Sequence, residues 1–202
     1  MAIFINYAEV IEYVKKMTSD NGRPPNYPFR SRFDHTLRVY RWAIKLQSKL
    51  GGDLDIIALA ALLHDIGWDE SGERSHGEVG AELAVEYLDS IGVDPDIIRR
   101  VGEIIMIHED KDTDADLSLE CKIVMDADLL DEVGAVGVLW DAMATACEDE
   151  PTYKKAYYRI KNYYRINRPK IRRCKTDAAR AEYDKRMQMI ESYISQLEKE
   201  LF

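Results

Sequence analysis

Apolar side chains recur every three or four residues along most of the chain, which is the period of an α-helix. Over residues 3–17 the apolar positions are Ile3, Tyr7, Val10, Ile11 and Val14. A second helix is predicted over 33–50, because the Gly51-Gly52 pair that follows is a helix stop. Residues 21–29 contain three prolines, so we expect a loop between these two helices.

The third predicted helix is apolar on nearly all sides, so it should lie at the centre of the fold. Asp53 caps its start, the sequence IIALAALLHDI forms its body, and Gly67 ends it. Ser75 and Glu78 have the spacing of a capping box, which predicts a fourth helix running to about Ile91.

The second half of the chain continues in helices. Asp94-Pro95 opens one that runs to His108, and the acidic segment EDKDTDAD after it is a loop. Helices are predicted over 118–132 and about 134–147, and Pro151 to Arg168 is a helix followed by a loop.

Thr176 caps the last predicted helix, whose apolar positions are spaced by 4, 3, 4, 3 and 4 residues. They are Tyr183, Met187, Ile190, Ile194, Leu197 and Leu201. This spacing is typical of a coiled-coil seam. Packing of this helix on its own domain is favoured over a dimer interface.

The pattern as a whole predicts an all-α fold in one domain, residues 1–202. Alternating strand patterns are absent from the sequence, although a short strand near 110–118 or 167–173 stays possible.

The net charge of the chain limits the classes of function that can be expected. The 202 residues include 28 basic and 37 acidic side chains, for a formal net charge of −9. A nucleic-acid-coating surface is therefore not expected, although a metal ion can still attract phosphate into one cleft. No apolar run approaches about 18 residues, so no membrane association is expected. Three cysteines without a CxxC pair, and a start unlike a signal peptide, predict a reducing, cytoplasmic location.

Three of the four histidines fall on apolar helix faces, namely His35, His64 and His108. One such histidine is ordinarily a core residue with a hydrogen-bond partner, because a buried imidazole is costly when unpaired. Three of them beside inward carboxylates favour a metal site instead.

Two carboxylates share this apolar context. Asp65 follows His64 at the end of the apolar third helix, and Asp128 lies on the inward face of CKIVMDADLL. A buried carboxylate needs a counter-charge, which a metal ion supplies. Asp126 and Asp131 lie off that face, so they are expected to be exposed or to cap the next helix.

The strings FDHTLRVYRWA, ALLHDIGW and ECKIVMDADLLDEVGAVG carry these residues in order. In this order and helical context the chain resembles the HD-domain superfamily of metal-dependent phosphohydrolases. The last string is similar to the bacterial YedJ/YpgQ-like branch, except that Leu129 replaces the arginine of the usual DADRL.

The resemblance implies a compact HD-domain helical bundle, with its core motifs in 30–145 and helices of 151–202 packed on it. It implies one divalent ion held by His35, His64, Asp65 and Asp128. Mixed nitrogen and oxygen ligands accept Mn, Mg, Ni, Co, Fe or Zn, so the metal stays open. The implied reaction is hydrolysis of a phosphate ester or anhydride. Nucleotides are the implied substrates, either (d)NTPs cut to pyrophosphate or 5'-nucleotides.

Three cations are candidates for binding substrate phosphates. Arg32 and Arg38 stand at minus and plus three from His35, and Lys122 lies near the face of Asp128. Each could equally be an ordinary exposed basic residue.

Proton transfer is assigned to Asp65, Asp69 and His108. His76 and His108 are expected near the phosphates and outside the metal's ligands. His76 stands at a helix start, which suits phosphate better than a second cation, and twelve residues from His64 to His76 look too few for a bridged pair. Tyrosines between 153 and 164 could stack on a base, although packing explains them as well.

A non-catalytic sensor that binds metal and nucleotide is the alternative function. The expected partner is a small phosphorylated molecule, and the chain is a monomer or a homodimer.

Overall fold

The computed structural model describes residues 5–18, 27–68, 72–113 and 115–202, and all of the regular elements within them are helices. The α-helices are α1 Tyr7–Thr18, α2 Arg32–Leu50, α3 Leu54–Leu63, α4 His76–Ser90, α5 Pro95–Ile107, α6 Leu119–Asp131, α7 Ala135–Ala146, α8 Tyr153–Asn167 and α9 Asp177–Leu201. A 3-10 helix, Arg168–Arg173, joins α8 to α9. The all-α prediction is confirmed. Among the described residues, no helix is both long and apolar enough to cross a membrane.

The residues predicted to cap helices are found at the N-termini of those helices. The Ser75 hydroxyl accepts from the backbone N–H groups of Gly77 and Glu78, and the Thr176 hydroxyl accepts from that of Ala179. Of the predicted proline-rich loop, residues 21–29, the part from 21 to 26 lies outside the described residues. The segment 167–173 is helical, and the described residues of 110–118 before α6 form turns and coil.

Helix α3 is the central element. It packs against α1, α2, α5 and α6, and its residues from Ile56 to Leu63 are all buried. The helix ends earlier than predicted, because His64 is its C-cap and residues 64–68 form turns. The turn allows His64 and Asp65 to face one point, because adjacent residues of a helix point about 100° apart.

The turn packs closely on the start of α4. A Cβ atom at Gly67 would overlap the backbone of Gly80 and His76, so only glycine permits this approach. The consequence is that His76, although far from α3 in the chain, lies beside Asp65.

Helix α9 packs on its own domain, as predicted. Tyr183, Met187, Ile190 and Ile194 are buried and belong to one apolar cluster that also includes residues of α1 to α8. Contacts with α2, α6, α7 and α8 account for this burial.

The expectation that Asp126 is exposed or caps the next helix, α7, is wrong. Its side chain is fully buried and accepts hydrogen bonds from Lys175 N at 2.7 Å, Thr176 N at 2.8 Å and Thr176 Oγ1 at 2.7 Å. These backbone donors stand at the start of α9, where amides have no partner within the helix. Asp126 therefore attaches the C-terminal helix to α6.

We predict that Asp126→Ala lowers the free energy of unfolding by roughly 2–4 kcal/mol, because two buried amides lose a charged acceptor. Urea denaturation followed by circular dichroism measures it. Asp89→Ala, at an exposed position of α4, is the control and should change stability by less than about 0.5 kcal/mol. Equal stability of both variants would contradict this role.

Candidate metal centre and cleft

Four side chains meet at one buried point between α2, α6 and the turn after α3. The Nε2 atom of His35 lies 3.4 Å from Nε2 of His64, 3.4 Å from Oδ2 of Asp65 and 3.3 Å from Oδ1 of Asp128. The four residues predicted to bind metal are thus together in space.

Two of the histidines are held from behind by backbone carbonyls of their own helices. Nδ1 of His64 donates to Ala61 O at 2.9 Å, and Nδ1 of His108 donates to Ile105 O at 2.6 Å. With Nδ1 bonded to a carbonyl, each ring turns its Nε2 atom toward the centre.

The other two histidines have carboxylates behind them. Nδ1 of His35 lies 2.7 Å from Asp131 Oδ2, and Nδ1 of His76 lies 3.2 Å from Glu109 Oε2. This arrangement is the usual one behind metal-bound imidazoles, because the carboxylate fixes the tautomer and the ring orientation.

The donor set fits a divalent cation. Burial lowers the pKa of His64 to about 4, so its ring is neutral at pH 7 and cannot donate through Nε2. Burial opposes the charge of His35, but hydrogen bonds to Asp128, Asp131 and Asp65 raise its pKa well above the usual value, so a metal ion would displace its proton. Imidazole nitrogens and carboxylate oxygens converge here, and these are ordinary ligand atoms of a divalent cation.

Both carboxylates are ionised at neutral pH. Burial opposes the charge of Asp128, but Lys111 and His35 hold its pKa well below the usual value. Burial likewise opposes the charge of Asp65, while neighbouring histidines, His64 first, hold its pKa well below the usual value. Both groups are therefore available as ligands.

Asp65 also faces two further histidine rings. Its Oδ1 lies 3.3 Å from Nε2 of His76 and 3.8 Å from Nε2 of His108. His76 shares the cleft with Asp65, because Gly67 lets the turn fold back on α4. His64, Asp65 and His108 form a second group able to hold an ion.

The expectation that Asp131 is exposed or caps the next helix is also wrong. It is buried, it contacts His35, and it accepts two hydrogen bonds from Arg38 at 2.8 and 2.9 Å. Asp131 follows Asp128 by three residues, so both project from one side of α6. Arg38 lines the cleft, but its guanidinium is committed to Asp131.

Of the other two predicted phosphate-binding cations, one lies at the centre and one does not. Arg32 reaches the centre: its guanidinium lies 2.8 Å from Asp65 Oδ2 and stacks on the Trp68 ring at 3.8 Å. Lys122 is not among the described residues that line the cleft. The lysine at the site is Lys111, whose Nζ lies 2.5 Å from Asp128 Oδ2.

Sequence reasoning missed Lys111 because it stands in the acidic segment assigned to a solvated loop. The available signal was its position, because Lys111 lies only three residues after the inward-facing His108. Asp69, a predicted acid or base, lies outside the described residues.

The centre opens into a cleft of about 720 Å³. Its charged part includes Arg30, Arg32 and Lys111. Its apolar part comes mainly from α7, with Leu139, Trp140 and Met143 facing the cleft. Of the tyrosines of α8, Tyr163 lines the cleft and Tyr157 is buried in the core.

A helical bundle that buries histidines and aspartates around one point, beneath a cleft carrying cations, has the features of a metal-dependent phosphohydrolase. The HD domain family model matches residues 32–132, half of the chain. YueE from Bacillus subtilis is 33% identical over 121 residues, which cover 52% of this chain and 69% of YueE. The chain therefore belongs to the HD domain family.

Solved structures agree with this assignment. An HD-superfamily hydrolase from Bacillus thuringiensis superposes with a TM-score of 0.72 at 25% identity, covering 96% of this chain and 95% of the other. Bacillus subtilis YpgQ gives 0.66 at 26% identity, covering 96% and 94%.

Similarity to ribonuclease Y covers only a minor part of that protein: the Lactobacillus acidophilus protein is 28% identical over 171 residues, which are 83% of this chain and 30% of the ribonuclease. The Enterococcus faecalis protein is 38% identical over 73 residues, which are 35% of this chain and 14% of the ribonuclease. This match concerns a small part of that longer protein.

We predict that Asp131→Ala weakens Mn²⁺ binding by about 10- to 100-fold, because His35 loses the acceptor that orients its ring. Asp131→Asn keeps an acceptor oxygen for Nδ1 and should lose much less affinity. Calorimetric titration of both variants with Mn²⁺ measures this, and circular dichroism checks the fold. Equal affinity in wild type and Asp131→Ala would refute the positioning role.

Proposed function

We propose that this HD-domain protein hydrolyses phosphate ester or anhydride bonds of nucleotides, either (d)NTPs with release of pyrophosphate or 5'-nucleotides with release of phosphate. The observation that carries the proposal is the composition of the cleft. It joins the buried histidine and aspartate group to flanking cations and to an apolar aromatic wall.

The proposed cofactor is one divalent ion, with His35, His64, Asp65 and Asp128 as its ligands. When bound, such an ion polarises a phosphoryl oxygen and lowers the pKa of water. The charges support one ion, because the two carboxylates are already matched by Arg32 and Lys111. One divalent ion then gives this part of the cleft the net positive charge that suits a phosphate.

Arg32 and Lys111 are proposed to hold the substrate phosphates. Stacking on Trp68 and the contact with Asp65 fix the Arg32 guanidinium, which has further N–H donors for phosphate oxygens. Lys111 contacts Asp128 through one of its three donors. Leu129, at the position of the branch's arginine, is buried and provides no cation.

His76 and His108 are proposed to transfer protons beside the phosphate. Both present Nε2 to Asp65. Glu109 lies behind Nδ1 of His76 and would stabilise the imidazolium that forms when Nε2 takes a proton. Asp69, which lies outside the described residues, remains a predicted acid or base.

The apolar wall supports a nucleotide in particular. Trp140 lies 5.2 Å from the Tyr27 ring and 6.0 Å from the Phe29 ring, which gives an aromatic surface on which a base can stack. A crystal structure of Bacillus subtilis YpgQ holds ADP. At 24% identity that likeness concerns the fold, so the proposal rests on the cleft of this chain.

We predict that the protein releases phosphate or pyrophosphate from nucleotides when Mn²⁺, Mg²⁺, Co²⁺ or Ni²⁺ is supplied. A screen with each metal separately, against nucleotides and simple phosphate esters, measures this. Asp65→Ala should lose nearly all turnover, and Asp89→Ala should keep it. Tight nucleotide binding without release would favour the sensor, and release from simple esters alone would exclude nucleotide specificity.

We predict that His108→Ala keeps one equivalent of metal and loses at least about 100-fold in kcat, since a proton-transfer group contributes about that much. Metal analysis and steady-state kinetics measure the two quantities. Two equivalents in the wild type, falling to one in His108→Ala, would instead place a second ion between Asp65 and His108.

A further inference from the structure

Asp141 of α7 is a buried carboxylate outside the proposed metal centre. It lines the cleft and is only 5% exposed. Its Oδ1 accepts from Arg159 Nε at 2.9 Å, whereas its Oδ2 has no hydrogen-bond partner within the described ranges. A buried carboxylate oxygen without a donor is costly, so its partner should come from outside the protein chain.

The ion pair with Arg159 does not by itself explain why the Asp141 carboxylate is buried in the cleft wall. The pair uses one carboxylate oxygen, and Arg159 also bonds Glu148 at 2.5 Å near the surface. Burial raises the pKa of Asp141, and Arg159 partly offsets this effect. A purely structural carboxylate in this place would be expected to satisfy both oxygens.

The residues around Asp141 indicate what kind of ligand could donate a hydrogen bond to its Oδ2 atom. Trp140 precedes it, and the Arg159 guanidinium lies 5.3 Å from the centre of the Trp140 ring. Leu139 and Met143 are exposed on the same cleft wall. An acceptor among flat and apolar groups suits a planar heteroaromatic ring with an N–H donor at its edge.

We propose that Asp141 determines base specificity by accepting a hydrogen bond from an exocyclic amine of the nucleobase. This inference rests on the proposed nucleotide function. An ionised carboxylate only accepts hydrogen bonds, so a base with a carbonyl at the same edge loses the bond and meets an acceptor instead. Sites built for one donor discriminate strongly against analogues that lack it.

The test uses pairs of nucleotides in which a carbonyl replaces the amine: adenine and hypoxanthine, cytosine and uracil, guanine and xanthine. For the pair used best, the wild type should favour the amine by at least about tenfold in kcat/KM. Asp141→Asn keeps an oxygen for Arg159 and adds N–H donors, so the preference should vanish or invert. Glu148→Gln, which alters the other partner of Arg159, should leave the ratio unchanged.

Two results would overturn the inference while leaving the proposed function intact. One is an equal amine-to-carbonyl ratio in wild type and Asp141→Asn, with nucleotide turnover present in both. The other is an unchanged base ratio with altered discrimination between ribose and deoxyribose, which would assign Asp141 to the sugar. If the wild type neither binds nor hydrolyses any nucleotide, the proposed function fails and the inference fails with it.

Discussion

Two buried aspartates beside two imidazoles are the constraint on which the rest of this structure depends. Asp65 and Asp128 are almost completely buried, and the Nε2 atoms of His35 and His64 face the same point. Buried charges are costly unless they are paired in good geometry, so the surrounding helices must hold these carboxylates beside Arg32, Lys111 and the proposed metal ion. The apolar α3 supplies this rigidity by packing in the centre of the bundle.

Helix α6 connects the metal centre to the rest of the bundle through three carboxylates with separate tasks. Asp126 accepts hydrogen bonds from the start of α9, Asp128 faces the centre, and Asp131 holds His35. The C-terminal helix is therefore attached to the segment that carries Asp128, a proposed metal ligand. Arg186 of α9 adds to this attachment by donating to Leu130 O and Val133 O at the end of α6.

Much of this arrangement was predictable from local sequence signals. Caps such as Ser75 and Thr176 act within one turn of the helices they start, so their pattern is visible in the sequence. The convergence of the four proposed metal ligands was predictable because each places a polar group on an apolar face, as Asp128 does. The burial of Asp126 and Asp131 was not predictable from helix periodicity, because it depends on α9 and α2, which are remote in the chain. The placement of His76 depends on a close backbone approach at Gly67 that periodicity does not encode.

The central claim is that the buried group binds a divalent ion through these four residues. Anomalous diffraction at the manganese absorption edge, from crystals grown with Mn²⁺, tests it most directly. The account predicts a strong peak within about 2.0–2.4 Å of His35 Nε2, His64 Nε2 and oxygens of Asp65 and Asp128. The absence of a peak at this point, or a strong peak bound only by other residues, would contradict it.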